Sequence, residues 1–139
     1  MVTGKRAKSF VTIMIVIAVL ALVLRIVIER VIDINITQNE SNAQGIIKLI
    51  SAALENYAKD NQGIYPTNLS LLTATQPPYL DKDDVTESPT KGYNFNCPRL
   101  ETSGYSCTAS PLRCKLSGKT VYTITTAGVL ISQECEKKE

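Results

Sequence analysis

A chain of 139 residues with 15 basic and 13 acidic side chains, four cysteines and no histidine has room for one small domain. Five basic and two acidic residues precede position 34, a net of +3, and the ten basic and eleven acidic residues that follow leave −1. That balance excludes the strongly basic surface of a nucleic-acid binder, and without a histidine, a G-x-S-x-G or a P-loop pattern no reactive cluster points to an enzyme.

The first element is apolar. Lys5, Arg6 and Lys8 precede Phe10 to Leu24, in which nothing is charged. A helix over that run is roughly 22 Å long, against about 30 Å of bilayer hydrocarbon. Counted on to Ile28 it reaches roughly 28 Å, with Arg25 inside. Arg25 can snorkel to the interface and pair with Glu29 one turn later. A signal peptide shares the basic front and apolar middle but ends in a small-x-small site. Here Arg25-Ile26-Val27-Ile28-Glu29-Arg30 follows, so the expectation is a retained anchor. The basic cluster favours a cytoplasmic N-terminus, with the remainder outside the cytoplasm.

From Val27 the apolar residues keep a helical period: Val31, Ile34, Ala43, Ile46, Ile47, Ile50, Ala53, Leu54, Tyr57 and Ala58. Glu40, Lys48, Glu55 and Lys59 are assigned to the other faces. One helix from about Ser9 to Gln62, roughly 80 Å long, is expected, closed by Gly63 in the left-handed cap conformation. The polar patch Asn35 to Asn42 is its weakest part, because Asn, Thr and Ser are poor helix formers, and the place where a kink or local melting could occur. The triplets starting at Asn35, Asn39 and Asn68 match the N-glycosylation pattern and are read as chance.

Ile64 to Leu72 reads as a tight loop and one or two helical turns, ended by Pro77-Pro78. Tyr79 to Thr90 is an acidic loop. Asp81, Asp83, Asp84 and Glu87 are weak calcium candidates, since oxygen ligands suit that ion. Lys82 interrupts them and the EF-hand spacing is missing, so the preferred reading is a solvated loop and no metal or cofactor is expected. Arg113, Lys115 and Lys119 form a small basic patch, read as ordinary surface charge.

From Lys91 the period changes to two, in Tyr93–Cys97, Tyr105–Ala109, Thr120–Thr125 and, after a turn at Ala127-Gly128, Val129–Ser132. That pattern predicts an antiparallel meander of three or four strands. The sheet needs a partner, and the stripe Ile46-Ile47-Ile50-Ala53-Leu54-Tyr57 is the obvious one. Cys97, Cys107, Cys114 and Cys135 read as two disulfides of a small extracytoplasmic domain. Zinc is disfavoured without histidine or a C-x-x-C spacing. Of the three possible pairings, a hairpin centred near Thr102 favours Cys97–Cys107, which leaves Cys114–Cys135.

Ser9-Phe10 and Met14-Ile15-Val16-Ile17-Ala18-Val19-Leu20 resemble the N-terminus of the type IV pilin and type II secretion pseudopilin superfamily. The order Asn39 to Gly45, Tyr65-Pro66-x-x-Leu69, Pro77-Pro78-Tyr79-Leu80 and Gly92-Tyr93-Asn94-Phe95 extends the likeness over nearly the whole chain. In that register Ala7 falls where the family's leader ends in glycine. Lys8 falls where it has phenylalanine, and Thr12 where it has glutamate. Processing and N-methylation would fall at Ala7 and Lys8. Assembly would run through Phe10, Thr12, Met14, Ile17, Leu20 and Leu24.

The expected fold is therefore α+β, pilin-like: a long N-terminal spine helix, membrane-spanning in its first half, packed on a small antiparallel β-sheet head. Its expected parts are a basic leader-like segment (1–8), a transmembrane half-helix (9–30), an amphipathic half-helix (31–62) and the head (63–139). The resemblance implies a structural filament subunit, not an enzyme. It would sit in a bacterial inner membrane and assemble with other pilin-like subunits and a pilus or secretion machinery. The departures at Ala7, Lys8 and Thr12 fit a minor or diverged subunit, or a membrane-retained relative whose head binds a ligand or partner.

Overall fold

The computed structural model describes the backbone of residues 3–136 and the side chains from Lys8 onward. Helix α1 runs from Thr3 to Asp60 and α2 from Ser70 to Ala74. Strands β1 (Tyr93–Glu101), β2 (Gly104–Pro111), β3 (Thr120–Thr125) and β4 (Val129–Glu134) follow. The chain divides into two compact units, the first ending at Ile34 and the second beginning at Asn35. The fold is α+β, with the long helix packed on a four-stranded antiparallel sheet.

No proline interrupts α1, so each turn can close its hydrogen bonds. The polar patch is helical and not melted. Ile36 within it is buried, and Asn39 and Glu40 bond to the loop before β3. Those tertiary bonds overcome the poor propensity that predicts a break. At the far end Gln62 (φ 61°) and Gly63 (φ 81°) both turn left-handed, and the Gly63 amide donates to the Ala58 carbonyl at 2.7 Å. A residue with a side chain thus shares the cap expected of Gly63 alone.

In the second unit Ala43, Ile47, Ile50, Ala53 and Leu54 recur at three- and four-residue steps and are buried. They pack with Leu72 and Leu80 and with the inner sheet residues Tyr93, Phe95, Tyr105, Ala109, Tyr122 and Ile124. Each fully buried leucine or isoleucine contributes about 1.5–3 kcal/mol, which explains why so small a sheet folds only against the helix. Gly118 is needed at close quarters, because a methyl group there would collide with the Tyr93 ring.

The strands form a meander in the order β1-β2-β3-β4. Glu101 faces Gly104, so the hairpin turns on Thr102-Ser103. An unbroken ladder from that turn would set Cys97 opposite Thr108. A bulge between Asn96 and Arg99, at Pro98, shifts the register so that Asn96 faces Thr108. Cys97 then comes level with Cys107, to which it is bonded. Proline lacks the amide a ladder requires, and a bulge is one of the few places in a sheet that tolerates it. The second bridge joins Cys114 to Cys135.

Candidate functional site

In the first unit every described side chain from Lys8 to Val31 is exposed. Phe10 (64%), Met14, Ile17, Leu20 and Leu24 follow one another at three- and four-residue steps along one side of the helix, and none is covered. This stretch of α1 is the one helix, among the described residues, long and apolar enough to cross a membrane, with a best-window mean hydropathy of 3.1. The Thr12 hydroxyl donates to the Lys8 carbonyl at 2.8 Å, one turn back, so its polarity is satisfied within its own helix. Arg25 and Glu29 pair at 3.4 Å. Lys8 is exposed, and the side chain of Ala7 lies outside the described residues.

In the second unit the helix does more than present an apolar stripe. Asn39 donates from Nδ2 to the Ser117 carbonyl at 2.9 Å, and Glu40 accepts the Lys119 amide at 2.7 Å. Glu55 accepts from the Tyr105 hydroxyl (2.9 Å), the Tyr65 hydroxyl (3.1 Å) and the Ala127 amide (2.7 Å). Ser51 shares a 2.7 Å hydrogen bond with the Tyr105 hydroxyl. Glu40 and Glu55 stand off the apolar stripe, as periodicity assigns them, but are half-buried. They anchor the loops at either end of β3 to the helix.

Burial sets the ionisation of this core. The Tyr105 phenol is pushed up to about 12, first by burial, with Glu55 adding to it and Ser51 opposing. Burial and then the Glu40 carboxylate raise Tyr93 and Tyr122. Tyr65 is raised by burial and by its bond to Glu55. All four remain neutral through the physiological range.

The acidic loop is organised by its own side chains. Asp83 accepts the amides of Val85 and Thr86, both at 3.1 Å, and the Thr86 hydroxyl, an Asx turn. Lys82 pairs with Glu87 at 2.8 Å and reaches Asp84 at 3.8 Å. Asp81 is exposed, and no group of three potential metal ligands occurs among the described residues. Lys82 thus ties together two of the four calcium candidates, Asp84 and Glu87. Of the basic patch, Arg113 opens a turn in which its amide bonds the Ser117 hydroxyl at 2.9 Å.

What sequence reasoning missed is the Glu40 and Glu55 pair. A signal did exist: both lie beside the apolar stripe, within one turn of Ala43 and Leu54. No protein-family model matches the chain, and no curated protein or solved structure matches it significantly.

Proposed function

We propose that this protein is a structural subunit of a type IV pilus or type II secretion pseudopilus, built into a filament through the first half of α1. One observation carries the reading. A single helix is apolar on every face from Phe10 to Leu24, where every side chain is exposed, and amphipathic beyond Ile34, where it holds an antiparallel sheet. An uncovered apolar helix is satisfied either by lipid or by copies of itself. Both states belong to the proposed cycle. Anchors wait in the bilayer of a bacterial inner membrane, with the N-terminus cytoplasmic, and are then bundled through heterologous contacts that do not close. The pilin-like order of motifs and the two disulfides support the same reading. No catalytic role is assigned.

A second reading draws on Thr12. Its hydroxyl is spent on Lys8, so it carries no charge with which to set register against a neighbour's terminus. A membrane-retained subunit whose head binds a partner needs no such register. One experiment separates the two. Cysteines placed at Val16 and Ile28 are oxidised in cells that contain the assembly machinery. The filament reading expects products between subunits joining the two positions. Products absent from cells in which the protein is present would leave the retained anchor. N-terminal sequencing adds to this, because a new terminus at Lys8 marks processing and an intact Met1 marks retention.

A further inference from the structure

The two edges of the sheet are built differently. Strand β1 carries Pro98, the bulge between Asn96 and Arg99, and an Arg99–Glu101 ion pair at 3.3 Å. These are devices by which native edges refuse another strand. Strand β4 has none of them. Its residues Val129-Leu130-Ile131-Ser132-Gln133 include no charge and no proline, and all but Leu130 are exposed.

One bond shows which backbone groups are free. The Cys135 amide donates to the Lys119 carbonyl at 2.8 Å, in the same register as the β3–β4 pairing. Antiparallel ladders alternate, so Val129, Ile131 and Gln133 turn their backbone groups to β3. Leu130, Ser132 and Glu134 turn theirs to the open edge. A pocket of about 540 Å³ opens across the sheet where β2, β3 and the end of β4 lie side by side. Pro111, Leu112, Val121 and the Cys114–Cys135 bridge supply apolar wall, and the exposed Glu134 and Glu136 supply charge. Neither carboxylate has an ion-pair partner among the described residues.

We propose that the β4 edge takes an extended segment of a partner protein as a fifth strand, with a lysine or arginine of that segment lying in the pocket. The open backbone row requires a strand. The apolar wall suits the methylene stem of a basic side chain, and Glu134 and Glu136 suit its charge. An added strand lies about 4.8 Å away, within reach of such a side chain. A second copy of this chain is the wrong occupant, because β4 contains no basic residue and the β1 edge is guarded. The inference holds whether or not the anchors polymerise.

The test uses the full-length protein in detergent micelles. The probe is a synthetic peptide as long as β4, six residues, alternating threonine and valine around one arginine. Anisotropy of the labelled peptide reports binding, and amide hydrogen exchange reports where it binds. Slower exchange at Leu130 and Ser132 is expected, with β1 unchanged. Norleucine in place of arginine should weaken binding about tenfold, the size of one charge-assisted hydrogen bond. The double change Glu134→Gln and Glu136→Gln should erase that difference. Ser132→Pro removes an outward amide without breaking a β3 bond, and should abolish binding. A peptide N-methylated on its edge-facing amides should fail in the same way against the unaltered protein. Absence of binding, binding that leaves Leu130 and Ser132 unprotected, or full affinity for the methylated peptide overturns the proposal. So does protection of β4 that rises with protein concentration when no peptide is present.

Discussion

Ile17 and Ile47 stand on the same helix and meet opposite fates, the first 56% exposed and the second wholly buried. Their local conformations are alike, and their surroundings along the chain differ. Around Ile17 every neighbour is apolar, so no face is marked for a sheet and any apolar medium serves. Around Ile47, Lys48 and Glu55 interrupt the apolar residues, and a stripe is left that one sheet can cover. The difference teaches that an apolar residue's contribution to this fold depends on whether its helix is amphipathic, not on its own hydrophobicity.

The comparison is sharpened most by truncating a core residue. Leu54→Ala should cost the second unit about 3 kcal/mol in denaturant unfolding, whereas Ile17→Ala should leave that transition where it was. A shift with Ile17→Ala would mean that the two halves fold as one unit.

Next in size is Glu55→Ala, which strands the Tyr65 hydroxyl and the Ala127 amide and leaves the Tyr105 hydroxyl with Ser51. A loss of about 2 kcal/mol is expected. The exposed partner in the first unit, Glu29→Ala, should change thermal stability by less than about 0.5 kcal/mol.

Alkaline titration tests the same network. Tyr105 ionises near 10 when unfolded and near 12 when folded. Below the unfolded value both states hold the proton and the stabilisation is complete. Above it only the folded state does, so stability falls as pH rises through the interval. Chemical denaturation at stepped pH should show this decline, smaller in Tyr105→Phe, with no counterpart in the anchor half.

The smallest effect expected is at the helix end. Gln62→Gly relieves a left-handed residue (φ 61°) and should raise the melting temperature slightly, by at most about 1 kcal/mol of stability. A drop would show that the Gln62 side chain contributes more than its strain costs.

Much of the architecture was readable in advance, for a physical reason. A period of 3.6 or of two reports which face of an element is buried, and Ile47-Ile50-Leu54 and Tyr93-Phe95 carry those periods plainly. The hairpin followed from alternation, its centre near Thr102 favoured Cys97–Cys107, and Cys114–Cys135 was the pair left over. What periodicity cannot report is a polar residue that turns inward for a distant partner. The roles of Asn39, Glu40 and Glu55 went unread because the groups they bind, at Ser117, Lys119, Tyr105 and Ala127, lie far along the chain.

Local patterns of hydrophobicity and turn chemistry in the chain are enough for an apolar helix, its amphipathic continuation, three or four strands and a preferred pairing of the four cysteines. Only the tertiary structure decided that the polar patch at residues 35–42 stays helical, that a bulge at Pro98 brings Cys97 level with Cys107, and that β4 is the unguarded edge. These depend on which backbone groups find partners across the fold, and a hydrogen bond between distant residues leaves no mark on the spacing of either one.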